Sequence, residues 1–76
     1  MSNISVDRYH HYSYQTYATK TITGKGIIIF YTADSHTLQI DNEDRSVILN
    51  VPYIFKSKVY MKHAYNGTFD CSIIYL

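Results

Sequence analysis

Residues 9–20 read YHHYSYQTYATK, with four tyrosines inside nine residues and two adjacent histidines. Tyrosine brings large contact area, few rotors and a hydroxyl that can stay hydrogen-bonded when covered, so a cluster of it suits recognition. A second set sits at Lys56, Lys58, Tyr60 and Lys62, three cations and one ring at alternate positions. On an extended segment that spacing can track a phosphate backbone and stack a base. It also describes a solvated sheet face whose lysines discourage edge pairing.

Other chemistry is sparse. His10, His11, His36 and His63, with Asp70 and Cys71, are the side chains that could ligate a metal. None of them shows a recognised ligand spacing, and His10 and His11 point to opposite sides of an extended chain. No metal and no cofactor is expected. No nucleophile stands beside a recognisable base and orienting group, so catalysis is not expected either. A metal-independent ribonuclease built on His, Lys and Tyr would need no tell-tale motif, and His11 and His63 are its candidate residues. Asp41, with Glu43 and Asp44 beside it, is expected to behave as an ordinary solvated carboxylate in a loop tip.

The chain that must position these groups has 76 residues, enough for one domain. A lone core of that size supplies only roughly 3–5 kcal/mol net. The single cysteine, Cys71, allows no internal disulfide. The formal net charge of +1 gives no strong overall field for nucleic acid. The opening MSNISVDRYHHYSY lacks a signal-peptide pattern, and the longest apolar run, Ile27 to Tyr31, is far short of a membrane span. These features point to a soluble, cytoplasmic protein in a reducing compartment, without membrane contact.

Val, Ile, Thr, Tyr and Phe dominate between three glycines and one proline, and period-two patterns outlast any helical stripe. Tyr12, Tyr14, Thr16, Ala18 and Ile22 share one face of an opening strand, with His11, Ser13, Gln15 and Tyr17 on the other. Gly24-Lys25-Gly26 turns the chain. The Lys-Gly pair resembles, in part, the first strand motif of cold-shock domains. Ile27, Ile28 and Ile29 stand where that family's stacking aromatics would be, so the segment is read as a turn. Ile27 to Thr32 is apolar on both faces and is expected to be covered on both.

A hairpin around Glu43-Asp44 would pair Ile40 with Val47, Leu38 with Leu49 and His36 with Val51. A long strand then runs from Tyr53 to His63, carrying Phe55, Val59 and Met61 on one side. A bulged turn at Asn66-Gly67 would set Met61 against Cys71, Val59 against Ile73 and Lys62 against Asp70. The expected core aromatics are Tyr31, Phe55, Phe69 and Tyr75, with Phe30 and Tyr53.

The expected fold is all-β: a small antiparallel meander of five to six strands, forming a curled sheet or small barrel or pairing as a dimer to hide its edges. Residues 1–8 are read as a flexible N-terminal segment and 9–76 as a single β domain. Twelve aromatic rings exceed what one thin sheet face buries. The expected function is therefore a small non-catalytic binding protein that docks a tyrosine-rich surface on a protein partner. Its contact residues would be Tyr12, Tyr14, Tyr17 and Tyr60, with Lys56, Lys58 and Lys62 steering association. Compact, motif-free chains of this kind are common among accessory and inhibitor proteins of viruses and mobile elements. The rivals are a single-stranded nucleic-acid binder using the lysine stripe, the small ribonuclease, and a homodimer built through the tyrosine strand. The acidic tip 41–44 is opposite in sign to the lysine stripe and could pair with it in a second copy.

Overall fold

In the computed structural model, which describes residues 4–76, β-branched and aromatic segments form eight strands with no helix among the described residues. They are β1 (Ser5–Tyr12), β2 (Thr19–Thr23), β3 (Gly26–Ala33), β4 (Ser35–Ile40), β5 (Glu43–Asp44), β6 (Pro52–Phe55), β7 (Lys58–His63) and β8 (Thr68–Tyr75). Two four-stranded antiparallel sheets result, ordered β1-β8-β3-β6 and β2-β7-β4-β5. The all-β antiparallel class is as expected, but the sheets form an open two-layer sandwich and not a closed barrel. Successive strands also pair differently from a meander. Apart from the β4–β5 hairpin, each connection carries the chain from one sheet to the other.

Alternation builds the core. Phe69, Cys71 and Ile73 on β8, Ile28 and Phe30 on β3, and Phe55 on β6 are buried from one sheet. Ile22, Leu38, Ile40, Val59 and Met61 are buried from the other. Phe30 and Phe69 meet edge to face at 6.2 Å. Tyr9, Tyr53 and Tyr75 pack against this core from its margins. Tyr31 does not. It alternates outward from the buried Ile28 and Phe30, at the bulge before Thr32, and its hydroxyl donates to Ser72 Oγ at 3.1 Å under the Arg8 guanidinium.

Several expected pairings are replaced. The chain reverses at Asp41-Asn42, both with positive φ (53° and 67°), so Ile40 pairs with Glu43 and not Val47. Two left-handed residues suit a tight hairpin, and Asp and Asn tolerate them better than most residues. Asp41 also has a second task. Its carboxylate accepts from the backbone N–H groups of Ser57 (2.7 Å), Lys56 (2.9 Å) and Lys58 (3.1 Å), and from Ser57 Oγ (3.0 Å). The Ser57 N–H leads in holding its carboxyl down to about 2, so Asp41 is no ordinary loop acid. The stabilisation is present above the unfolded value near 3.8 and is lost as pH falls through about 2. This contact breaks the expected strand 53–63 at Lys56-Ser57, and sends β6 and β7 into different sheets. It also brings Asp41 of the acidic tip against the backbone at the start of this chain's own lysine segment.

Met61 and Cys71, expected as ladder partners, belong to different sheets. Asp70 lies on the other sheet from Lys62 and is bound by Arg8, Nε to Oδ1 at 2.7 Å and Nη2 to Oδ2 at 2.9 Å. The opening strand ends at Tyr12, and 13–18 is a turn with Gln15 at φ 52°. Residues 5–8 of the segment read as flexible already pair along β8, while residues 1–3 of that segment lie outside the described residues. Ile27 and Ile29 are only half-buried on the outward side of β3, so the strand is covered on one face alone.

Gly26 is required by packing. A Cβ there would fall on the Ile74 carbonyl oxygen of the neighbouring strand. Gly24 has φ 127° but open space around it, the nearest atom being a Tyr75 ring carbon at 3.7 Å. Gly26→Ala is therefore expected to cost about 3 kcal/mol or more in urea unfolding, and Gly24→Ala only about 1 kcal/mol.

Candidate functional site: the tyrosine end

Three connections meet where β1, β3 and β7 end and β4 and β8 begin. Ser13, fully buried, joins two of them. Its hydroxyl donates to the Ala64 carbonyl at 2.7 Å and accepts from the Gly67 N–H at 3.0 Å, while its own N–H donates to the Gly67 carbonyl at 2.8 Å. The Gln15 N–H donates to Asn66 Oδ1 at 2.7 Å. From the β3–β4 corner, Asp34 accepts the Thr68 N–H on Oδ2 at 3.0 Å and the Ala64 N–H on its carbonyl at 2.9 Å. Every one of these bonds satisfies a backbone group that a loose loop would leave to water. The alternation of the sequence puts Ser13 on an exposed strand face; nothing local marks it as the knot of this end.

Around that knot stand the rings. Tyr12 and Tyr14 lie 6.4 Å apart, and Tyr17 lies 5.4 Å from Tyr65 and 5.8 Å from His36. Lys62 Nζ stands 5.5 Å over the Tyr17 ring. Tyr12, Tyr14, Tyr17 and Tyr65 are all exposed. The structure thus brings Tyr12, Tyr14, Tyr17 and Lys62 of the expected contact set to one end, and adds Tyr65 and His36. The remaining members lie elsewhere. Tyr60 is half-buried mid-sheet between Thr21 and Gln39, Lys58 lies opposite Thr23, and Lys56 is in the turn held by Asp41. Lys56 is therefore not on the strand face that carries Lys58, Tyr60 and Lys62.

A ladder of rings runs inward from β1. Tyr9 stacks on His11 at 6.1 Å, His11 lies 5.4 Å from His63, and His63 stacks on Phe69 at 4.3 Å. His63 is fully buried. Its Nε2 shares a 2.7 Å hydrogen bond with the Tyr9 hydroxyl, and its Nδ1 has no partner. The two histidines of the ribonuclease reading are thus neighbours, yet the buried His63 presents no face to a substrate. Burial also pushes the Cys71 thiol up to about 11, so it is not a thiolate nucleophile at neutral pH. Among the described residues, no three His, Cys, Asp or Glu side chains gather closely enough to hold a metal ion. No helix among them is long and apolar enough to cross a membrane. Comparison with protein-family models, curated proteins and solved structures finds no match to this chain.

Burial, and secondarily the neighbouring His11, lowers the His63 pKa from 6.5. The folded chain holds fewer protons here than the unfolded chain, so this stability is present above about 6.5 and is lost as pH falls through the lowered value. Urea unfolding at pH 7.5 and pH 5 should show the loss, and His63→Leu should remove most of the difference. Ser13→Ala removes the hydroxyl's bonds to the Ala64 carbonyl and the Gly67 N–H, which still bond each other at 2.8 Å, and is expected to lower stability by about 1 kcal/mol. Faster amide exchange confined to 13–18 and 64–68 would locate that effect.

Proposed function

We propose that the protein is a small non-catalytic binding protein whose tyrosine end docks on a protein partner, acting by occlusion or as an adaptor. The observation that carries this reading is the set of four exposed tyrosines held at one end by hydrogen bonds between side chains and backbone, centred on the buried Ser13. Exposed rings on mobile loops would lose entropy on docking. Rings on a frame tied by Ser13, Asp34 and Asn66 lose less, which favours affinity. Tyr17 and Tyr65, in mutual contact and flanked by Lys62, form the centre of the surface; Tyr12 and Tyr14 extend it. Hot spots favour this composition, an aromatic centre bordered by polar groups.

A nucleic-acid partner is the outcome that the test must separate. Affinity capture from host extract, with nuclease treatment and a salt series, provides the separation. Capture of a protein that survives nuclease and moderate salt supports the proposal. A Tyr17→Ala, Tyr65→Ala double variant should then bind at least about tenfold more weakly, as loss of a hot spot implies. Binding that vanishes with nuclease, or falls steeply with salt while ignoring the tyrosine changes, would transfer the function to phosphate recognition.

A further inference from the structure

The two outer faces of the sandwich differ in chemistry. On the β2-β7-β4-β5 sheet, rows such as Thr21-Tyr60-Gln39-Asp44 and Thr19-Lys62-Thr37 are polar from edge to edge. On the other sheet one row is apolar across all four strands. Val6 pairs with Ile74, Ile74 with Ile27, and Ile27 with Ile54. By alternation these four residues point away from the core side chains Ile73, Ile28 and Phe55. The next row is Arg8-Ser72-Ile29-Pro52, apolar only on its β3 and β6 half. Ile4 and Leu76 continue the patch beyond Val6 and Ile74. Ile4, Val6, Ile54 and Leu76 are 62–68 % exposed, while Ile27, Ile29 and Ile74 are half-buried.

Within one chain nothing among the described residues covers this face. Isolated exposed apolar residues need no explanation, but a continuous row across a whole sheet does. Seven side chains at these exposures offer roughly 500–600 Å² of apolar surface, at the upper end for the largest patch on a monomer. Doubling it gives about 1,000–1,200 Å², where specific interfaces begin.

We propose that this face binds the same face of a second copy, forming a two-fold, sheet-on-sheet dimer. Self-pairing fits because the surface is apolar from edge to edge and needs no complementary charge. The ion pair at its border, Arg8 with Asp70, is closed within the chain, and the exposed Lys25, whose carbonyl accepts the Leu76 N–H, stands at the rim, where docking leaves its ammonium in water. The flanking edge strands carry what discourages side-by-side extension: Pro52 on β6, and Asp7, Arg8 and His10 on β1. Stacking through the face is what remains, with the sheets about 10 Å apart. The patch lies at the Ser5 and Tyr75 ends of β1 and β8, and the tyrosine cluster at their Tyr12 and Thr68 ends, about 20 Å along the strands. The dimer therefore leaves both tyrosine ends free and makes the binder bivalent. It also assigns dimerisation to a face other than the tyrosine strand, and stands whether or not a partner docks there.

The test is the mass in solution, by light scattering or sedimentation between about 1 and 100 µM, the span in which a modest interface of this size titrates. The wild type should shift from one chain toward two across that range. Val6→Lys with Ile54→Lys changes two exposed positions on the edge strands, and should stay at one chain throughout, with the wild type's unfolding midpoint at about 1 µM, where both are single chains. Tyr17→Ala should dimerise like the wild type. A wild type that remains monomeric across the range overturns the proposal. So does a dimer that persists in the folded double-lysine variant, or one that Tyr17→Ala abolishes.

Discussion

One apolar seam between two sheets is the constraint on which the rest of this structure depends. With no disulfide and one domain's length of chain, the interior has to come from side chains that both layers share. Phe30, Phe55 and Phe69 from one layer, and Val59, Met61 and Ile40 from the other, form that seam. A residue can add to it only by alternating inward, so every strand gives up its outward positions. The short connections that pass the chain between layers follow from the same demand, since each crossing puts the next strand on the opposite side of the seam.

Those crossings explain where the polar chemistry has gone. Asp41 terminates three backbone donors at the β6–β7 crossing, and Ser13 and Asp34 play the same part at the opposite end. Chain passing between layers leaves ladder bonds unmade, and side chains with short oxygen arms supply the replacements. The tyrosine end is a consequence: its rings are displayed on connections that Ser13, Asp34 and Asn66 tie together. His63 shows the opposite result. It continues the aromatic ladder into the seam, gaining a Phe69 stack and a Tyr9 hydrogen bond while leaving Nδ1 without a partner.

The outer faces carry no such demand, and they diverge. Thr, Lys, Gln and Tyr on one sheet make a surface that water solvates. Val6, Ile27, Ile54 and Ile74 on the other make one that water does not. The sequence shows apolar character on both sides of Ile27 to Ile29, and the simplest meaning of that pattern is a strand covered twice. The described residues of a single chain cover it once.

Much of the inward and outward sorting is legible in the sequence. Phe69, Cys71 and Ile73 alternate as their spacing predicts, as do Phe55, Val59 and Met61, because side-chain direction along a strand is a local property of the backbone. Tyr31, expected inward, takes the outward phase that Ile28 and Phe30 impose on it, and the continuous strand expected through Tyr14 and Tyr17 gives way to a turn around the buried Ser13. Pairing is not legible. A connection of two to four residues can close a hairpin or cross to the other sheet, and its composition is the same in both cases. Asp41-Asn42 is decided by a distant backbone, Met61 and Cys71 go to separate layers, and Asp70 finds Arg8 across 62 positions of chain. The chain by itself determined that it would be strands, and how most side chains alternate along them. Only the tertiary structure decided which strands are neighbours, and hence which tyrosines share an end and which isoleucines share a face. Alternation is set within a few residues, whereas neighbourhood is set by the whole seam at once.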